Sequence, residues 1–394
     1  MTQPLFWGNI EATEKETIMQ YKLLATMASG LEALTAREIR DLGFDEQTDN
    51  GKVYFQGDEK AIAKANVWLR TADRVKIIVG QFTATTFDEL FEGVKALPWD
   101  QYLPLDAAFP VEGRSVRSKL HSEPDVQAIT KKAIVDKLAT VYHRRGRLAE
   151  TGKTYPLEVS ILRDVATLTI DTTGPSLFKR GYRIAKGEAP LKENFAAALV
   201  MLTNWHPDMP FVDPTTGSGT IPIETALWGL NIAPGLQRHF AFENFAFMAP
   251  QVLQDVKDEA LDAADFDREL DIQGFDLDPK MIEIAQENAK QAGLGQTIRF
   301  KQLAVKDNRL DNDQHGVLVS NPPYGKRLGE LDAARTLYRE MGQVYGDLTN
   351  WSRYILTADL EFEKAFGHKA TKRRKLYNGT IRTDYFQFWA QRRH

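Results

Sequence analysis

The feature that most constrains the fold of this 394-residue sequence is a short, mostly aliphatic run, residues 317–320, that stops at Asn321 and two prolines. Such an aliphatic run is typical of a buried parallel strand. The strand ends at the prolines, because proline has no N–H to donate to the hydrogen bonds of the sheet and restricts the backbone of the residue before it. In open α/β sheets, ligands bind outside the carboxyl ends of the strands. The sequence therefore predicts an α/β fold with a polar corner at the binding edge of its sheet.

The corner consists of Asn321, Pro322, Pro323 and Tyr324. The asparagine offers a side-chain carbonyl, the prolines leave main-chain carbonyls without competing local N–H groups, and the tyrosine offers a flat aromatic face. Two acceptors and one ring suit a planar base that carries an exocyclic NH2 group. A simple strand-ending turn explains the Asn-Pro-Pro part equally well, so the corner alone leaves both interpretations open.

A second strand-to-helix turn, residues 211–220, carries an acid and two glycines. The pattern predicts a strand that ends at Asp213, followed by Gly217 and Gly219 at the start of a helix. Glycines at this turn of a doubly wound sheet let a ligand approach the backbone. No lysine follows the second glycine, which excludes a Walker loop. A carboxylate favours a ligand with cationic and hydroxyl groups, and S-adenosylmethionine fits this description.

The following segments continue the α/β pattern. Residues 271–276 predict the next strand, and we expect Asp276 at its end to hold the ribose hydroxyls of the cofactor. Asp278 is expected to cap the helix 279–292 instead. Further strands are predicted at residues 297–303, 317–320 and 354–357, and residues 373–388 predict a hairpin around Asn378 and Gly379. The corner thus follows the fourth strand of this domain.

Four aromatic residues near the end of the chain are expected in the hydrophobic core. For a second group, the aromatic residues of 240–248, two roles remain open, which are packing in the core and covering the cofactor. The first group consists of Tyr385, Phe386, Phe388 and Trp389.

The first 172 residues predict two small α+β units after an extension, residues 1–19. In residues 20–82, we expect a strand at 21–26, a helix capped by Ser29, and a hairpin at Asn50 and Gly51. In residues 83–172, we expect a strand at 107–111, a long helix at 124–142 and a pair of strands. No group of residues suited to catalysis is found in the first of these units, residues 20–82.

Local charge departs strongly from the net charge of −4. Residues 111–147 hold nine Lys/Arg against four acids, and residues 364–394 hold nine against one, whereas residues 251–280 are acidic. Polarised charge steers a polyanion to one face, although solvated helix faces would also explain the first cluster. The residues expected to contact the backbone phosphates of a nucleic acid are Arg114, Arg117, Lys119, Lys131, Lys132, Arg144 and Arg145.

Composition removes several classes of site. The sequence has no cysteine, which excludes disulfides, thiolate zinc sites and cysteine nucleophiles, and argues against methylation at carbon 5 of pyrimidines. Its seven histidines show no metal-ligand spacing, so no metal site is expected. No stretch has the length of a membrane span or the pattern of a signal peptide, and we expect a cytoplasmic protein.

Three segments carry a resemblance to a known family. Residues 28–34, the turn at 51–53 and residues 113–115 before the basic helix resemble a ferredoxin-like unit followed by a THUMP domain, which is an RNA-binding module. From residue 20 to 392 the chain is similar to the amino-terminal half of the bacterial large-subunit rRNA guanine-N2 methyltransferases. Shorter members of this family are often labelled adenine-specific DNA methylases.

The resemblance implies a Rossmann-like class I methyltransferase sheet with a terminal β-hairpin over residues 173–394, preceded by ferredoxin-like and THUMP domains. It also implies that Pro190 and Leu191 lie beside the cofactor. Asp307 is expected to contact the adenine, because relatives carry an acid at the position of Ala304. Relatives have Phe-Cys where this chain has Thr215 and Thr216.

These observations favour transfer of a methyl group from S-adenosylmethionine to an exocyclic amine in RNA, with guanine N2 of large-subunit rRNA implied by the resemblance. Adenine N6 in DNA or tRNA and a protein glutamine amide use the same corner. A different class also remains open, an RNA-binding or ribosome-assembly protein with impaired catalysis. The unusual residues at Thr215, Thr216 and Ala304 motivate that alternative.

Overall fold

The computed structural model describes residues 19–144, 148–183, 191–325 and 330–391. Within these ranges the strands form two seven-stranded sheets. The first sheet belongs to the amino-terminal part of the chain and the second to the carboxyl-terminal part. None of the described helices has the length and apolar character needed to cross a membrane.

The first sheet joins both amino-terminal units. Its strands are β1 (Tyr21–Thr26), β2 (Glu46–Asp49), β3 (Lys52–Gly57), β4 (Arg74–Thr83), β5 (Val111–Val116), β6 (Leu157–Leu162) and β7 (Val165–Asp171), in the order β2-β3-β1-β4-β7-β6-β5. Its helices are α1 (Glu32–Asp41), α2 (Glu59–Trp68), α3 (Phe87–Lys95) and α4 (Glu123–Val141). Because β4 pairs with β1 on one edge and β7 on the other, the two units share one continuous sheet.

Two local predictions in this part are wrong. We expected a strand at residues 107–111, but the strand of this region is β5, which begins at Val111 and whose extent is set by parallel pairing with β6. Ala108 forms only an isolated bridge. Ser29 does not cap α1, since the cap position is Leu31. The Glu32 carboxylate instead accepts the N–H groups of Gly30 (2.9 Å) and Gly51 (2.8 Å), which ties the two loops together.

The second sheet has the predicted Rossmann-like organisation with a terminal hairpin. Its strands are β8 (Phe211–Asp213), β9 (Ile272–Asp276), β10 (Ile298–Gln302), β11 (Gly316–Ser320), β12 (Trp351–Thr357), β13 (Lys372–Asn378) and β14 (Ile381–Phe388), in the order β10-β9-β8-β11-β12-β14-β13. Its helices are α5 (Glu193–Met201), α6 (Thr220–Gly229), α7 (Val252–Asp262), α8 (Pro279–Gln291), α9 (Glu330–Tyr345) and α10 (Phe362–Phe366). Strands β8 to β12 are parallel, and β14 runs antiparallel to both neighbours.

The aromatic segment 240–248 packs between the two parts of the chain. The ring of Phe245 stacks on Tyr155 of the first part with centroids 4.8 Å apart, and Phe247 lies 5.6 Å from the rings of Tyr21 and Tyr102. These contacts resolve the open alternative in favour of packing for both phenylalanines. Near the chain end, the predicted core aromatics are buried except for Trp389, which is 51% exposed, so that prediction was wrong.

We expect Phe245→Ala to lower the free energy of unfolding by about 3–5 kcal/mol, because it removes a buried ring that joins the two parts. Urea denaturation would measure the change. Phe266→Ala is the matched control, since Phe266 is 61% exposed and its loss should change stability by less than about 0.5 kcal/mol. Equal stability of the two variants would contradict the packing role of Phe245.

Candidate active site

The corner and the glycine loop meet where the strand order reverses. Strand β8 lies between β9 and β11, so the loops that follow β8 and β11 leave the same edge of the sheet in neighbouring positions. The hydroxyl groups of Thr215 and Ser320 are hydrogen-bonded at 2.7 Å across these two loops. Ligands of doubly wound sheets bind at this reversal point. The tertiary structure thus brings Asp213 and Asn321 to one site.

The two glycines of the loop have different roles. Gly219 is the cap residue of α6 with φ of +79°, and a Cβ there would lie 2.9 Å from Ala285 Cβ and 3.0 Å from Phe300 Cζ. Gly217 also has a positive φ, +51°, but a Cβ at this position would meet no described atom within 4 Å. Gly219 therefore permits close packing of the helix, whereas Gly217 borders open space that a ligand could enter.

Asp276 is held in place at the end of β9. Its carboxylate accepts the N–H of Gly217 (2.9 Å) and the N–H of Asp278 (3.0 Å). A carboxylate has about four acceptor sites, so capacity remains for ligand hydroxyl groups. Asp278 caps α8 by accepting the N–H of Lys280 at 2.9 Å. The division of roles between these two acids agrees with the sequence prediction for the cap.

Asp213 is a buried carboxyl with an unusual titration. It is 1% exposed, its Oδ1 accepts the N–H of Thr215 at 3.2 Å, and its Oδ2 has no hydrogen-bond partner among the described residues. Burial raises the pKa of Asp213 to about 8; the negative charge of Asp276 adds to the rise, and the bond from Thr215 opposes it. A bound cation would favour the ionised form of this carboxyl, so the sulfonium or ammonium group of S-adenosylmethionine fits beside it.

We expect Asp213 to make the ligand-free protein less stable as pH rises. The folded carboxyl, with its pKa of about 8, keeps its proton at pH values well above 3.8, the ordinary pKa of an aspartate that applies to the unfolded chain. At pH values between these two pKa values, the unfolded state binds fewer protons than the folded state. The free energy of unfolding therefore falls as pH rises. Between pH 6 and 8, the free energy of unfolding of the wild type should fall by up to about 2 kcal/mol relative to that of Asp213→Asn. Urea denaturation at each pH measures both.

The control for this titration is Asp267→Asn, which removes an exposed carboxylate and should leave the pH dependence unchanged. A wild-type stability that runs parallel to that of Asp213→Asn across this range would contradict the raised pKa.

Arg183 is a site residue for which the sequence analysis predicted no individual role, although the family resemblance places residues 178–183 beside the cofactor. Its guanidinium donates to Glu193 Oε1 (2.9 Å), Ser218 Oγ (3.0 Å), Thr220 Oγ1 (3.0 Å) and the carbonyl of Leu191 (3.0 Å). These bonds tie the segment before α5 to the glycine loop and bring buried Leu191 near it. Arg183 belongs to a basic run, residues 179–183, which was the available signal. The other residue predicted in this segment, Pro190, lies outside the described residues.

Hydrogen bonds fix the corner more fully than the sequence indicated. The Tyr324 hydroxyl donates to Asn321 Oδ1, and the Asn378 side chain of the terminal hairpin lies close to the same hydroxyl. The carbonyl of Pro323 accepts from Tyr338 Oη at 2.9 Å, which is a hydroxyl of a distant residue and not a local N–H group. Burial raises the pKa of Tyr324 above its ordinary value, which keeps the phenol neutral.

The predicted RNA-contacting residues form two groups rather than one. Arg114, Arg117 and Lys119 are exposed on β5 and the loop before α4, whereas Arg144 is exposed beyond the other end of that helix. With 19 residues, α4 is about 28 Å long, which separates the groups.

Two further lysines lie in the middle of α4. Lys132 is exposed, but Lys131 donates to the carbonyl of Phe109 at 2.9 Å and pairs with Glu150. Lys131 is thus committed to contacts within the protein. Arg145 lies outside the described residues.

Asp307 is exposed at the end of a short 3-10 turn, Val305–Asp307, that follows β10. Its contact with an adenine ring remains a prediction. Across the described ranges, no group of three or more His, Asp or Glu side chains could hold a metal ion.

Comparisons with known proteins agree with this architecture. The chain matches the family described as "RMKL-like, methyltransferase domain" over residues 180–387, the RlmL ferredoxin-like domain over residues 22–76 and the THUMP domain over residues 84–171. It is 52% identical over 373 residues to a Bacillus subtilis (strain 168) protein named RNA methyltransferase YpsC, with 94% of this chain and 97% of that protein covered.

A longer relative and a solved structure extend the comparison. The chain is 35% identical to the ribosomal RNA large subunit methyltransferase K/L of Syntrophotalea carbinolica, covering 93% of this chain but 53% of that protein's length. The crystal structure of the methyltransferase SMU.472 complexed with SAH is 52% identical, covers 95% of this chain and 99% of that chain, and superposes with a TM-score of 0.91. The chain therefore belongs to the RMKL-like methyltransferase family, with ferredoxin-like and THUMP domains preceding its methyltransferase sheet.

Proposed function

We propose that this chain transfers a methyl group from S-adenosylmethionine to an exocyclic amine of a base in RNA, with guanine N2 of large-subunit rRNA as the target. The observation that carries the proposal is the Thr215–Ser320 hydrogen bond, which joins the glycine loop to the strand before the corner. A loop suited to a nucleoside cofactor and a corner suited to an amine thus share one edge of the sheet.

The residues around Gly217 fit S-adenosylmethionine. Asp276 would accept hydrogen bonds from ribose hydroxyl groups, because its carboxylate is already oriented by two backbone N–H groups. Asp213 would balance the positive charge of the cofactor with its unpartnered Oδ2. When bound, the cofactor supplies an electrophilic methyl group. Ordering of these carboxylates before binding reduces the cost of assembling the site.

The corner would position the amine. Asn321 Oδ1 and the carbonyl of Pro322 would accept its two N–H groups, which directs the nitrogen lone pair away from them. The bond from Tyr324 occupies one lone pair of Asn321 Oδ1 and holds the amide in place. The same acceptors stabilise positive charge as it develops on nitrogen, so positioning and electrostatics provide the rate enhancement. The methylated amine then releases its proton to water.

RNA is favoured as the substrate by the THUMP domain and by the exposed cations of β5 and its loop, Arg114, Arg117 and Lys119. Both curated relatives are also named as RNA-directed methyltransferases. A base in a helix must leave its stack to reach a pocket of this kind, and the ring of Tyr324 offers a stacking face. Guanine N2 rests on the family resemblance alone.

The test compares nucleosides of rRNA and tRNA, by mass spectrometry, from cells with and without the protein. Loss of N2-methylguanosine from large-subunit rRNA, restored by the purified protein and S-adenosylmethionine in vitro, would support the proposal. Loss of an N6-methyladenosine would replace guanine by adenine. If no methylated nucleoside changes in any RNA, methylation of an RNA base is refuted.

A further inference from the structure

A cleft separates the amino-terminal loops from the terminal hairpin of the methyltransferase sheet. Its volume is about 610 Å³, within the usual range of small-ligand pockets. The residues that matter for its chemistry come from four places in the sequence and are Ser29, Asn50, Lys192, Asn194, Tyr377 and Asn378. The cleft is therefore formed jointly by the ferredoxin-like part and the methyltransferase part of the chain.

The walls of this cleft are held together by defined bonds. Arg374 of the hairpin donates to the carbonyl of Gly30 at 2.9 Å, which joins the two sides. Glu32 fixes the loops at Gly30 and Gly51 through their N–H groups. Opposite them, the side-chain amide nitrogen of Asn194 donates to Asp73 Oδ1 at 3.0 Å. The cleft is thus a built feature of the domain interface.

One wall of the cleft leads directly to the catalytic corner. Asn378 lines the cleft, and its side chain lies close to the hydroxyl of Tyr324. The same hydroxyl donates to Asn321 Oδ1. A group bound in the cleft would therefore lie next to the residues that are proposed to hold the target amine.

The lining offers the types of group that recognise a nucleotide. Tyr377 provides a half-buried ring, with Lys375 Nζ 5.1 Å from its centre. Ser29 and Asn50 are exposed hydrogen-bonding residues, and Lys192 is an exposed cation. Asn194 is 2% exposed, and its Oδ1 has no hydrogen-bond partner among the described residues. The acid in the lining, Asp73, is already engaged by Asn194.

We propose that this cleft binds the RNA nucleotide adjacent to the methylated one, with its base stacked on Tyr377 and its phosphate near Lys192. The proposal rests on the proposed methylation of an RNA base. A flipped target base pulls its neighbours toward the protein, and a ring beside the corner would receive one of them. The loops at residues 28–30 and 50–51 then act as part of the mouth of the active site.

The test uses the full-length protein, S-adenosylmethionine and unmodified rRNA from cells that lack the protein. Tyr377→Ala should raise the KM for RNA about tenfold, as expected for the loss of one base-stacking contact, while the affinity for S-adenosylhomocysteine stays at the wild-type value. Tyr377→Phe keeps the ring and should restore the wild-type KM. Lys372→Ala removes an exposed cation of the same strand outside the cleft, and should change KM less than twofold.

Three results would overturn this assignment of the cleft. They are an unchanged KM in Tyr377→Ala, an equal rise in Lys372→Ala, and a parallel loss of S-adenosylhomocysteine affinity, which would make the cleft part of the cofactor site. If the wild type transfers no methyl group to RNA, the proposed function fails separately. Ultraviolet cross-linking of the same RNA to the protein then tests whether the cleft binds a nucleotide. A cross-link at Tyr377 supports nucleotide binding in the cleft, and the absence of one refutes it.

Discussion

Asn321→Ala should lower the single-turnover rate of methyl transfer by about 10²- to 10³-fold, with cofactor affinity close to that of the wild type. The estimate follows from the loss of one oriented hydrogen-bonding group that stabilises charge in a transition state. Asn321 lies on the loop after β11, whereas Asp213 and Asp276, proposed for the cofactor, are the last residues of β8 and β9. The effect should therefore fall on the transfer step rather than on cofactor binding.

This variant should also remain folded. Asn321 is half-buried, and the Asn378 side chain lies near the Tyr324 hydroxyl that the truncation releases. Asn244→Ala is a suitable control, because Asn244 is an exposed asparagine of the same domain and its loss should leave the rate unchanged. A wild-type rate in the Asn321 variant would remove the corner from the mechanism.

Asp276→Ala should weaken the binding of S-adenosylhomocysteine by about 10²- to 10³-fold. The substitution removes the acceptor of two ribose hydroxyl groups, and hydrogen bonds to a charged group are worth about 1.5–3 kcal/mol each. It also releases the N–H of Gly217, whose position depends on the carboxylate of Asp276. Isothermal titration calorimetry of wild type and variant measures the difference directly.

The neighbouring acid provides the matched control for this experiment. Asp278→Ala removes the cap of α8 and should cost about 1 kcal/mol of stability, but it should change cofactor affinity less than threefold. If Asp278→Ala lost affinity and Asp276→Ala did not, the roles of the two acids would have to be exchanged.

The elements that hold the site were predictable because their signals are local. Strands β8, β9 and β11 each end at a polar residue or a proline after a short apolar run, and such a run marks a buried strand wherever it lies in the chain. The glycine loop after β8 and the cap at Asp278 follow from the conformations and hydrogen bonds that these residue types favour. The class of fold and the corner could thus be inferred before any contact was known.

Contacts between distant segments could not be inferred in this way. Nothing near β4 in the sequence indicates that it pairs with β7 and unites two units in one sheet. Likewise, the charge cluster of residues 111–147 is continuous along the chain, but α4 separates its two ends in space. Local propensity depends on neighbours within a few residues, whereas strand pairing and helix placement depend on which surfaces can be buried together.

The sequence by itself therefore determined a Rossmann-like methyltransferase sheet, its glycine loop with Asp213 and Asp276, and the corner from Asn321 to Tyr324. Only the tertiary structure decided that Arg183 ties the segment before α5 to this loop and that Asn378 lies close to Tyr324. It also decided that loops of the ferredoxin-like part border the cleft beside the corner. The physical reason is that these groups meet through packing of surfaces far apart in the chain, which no local pattern records.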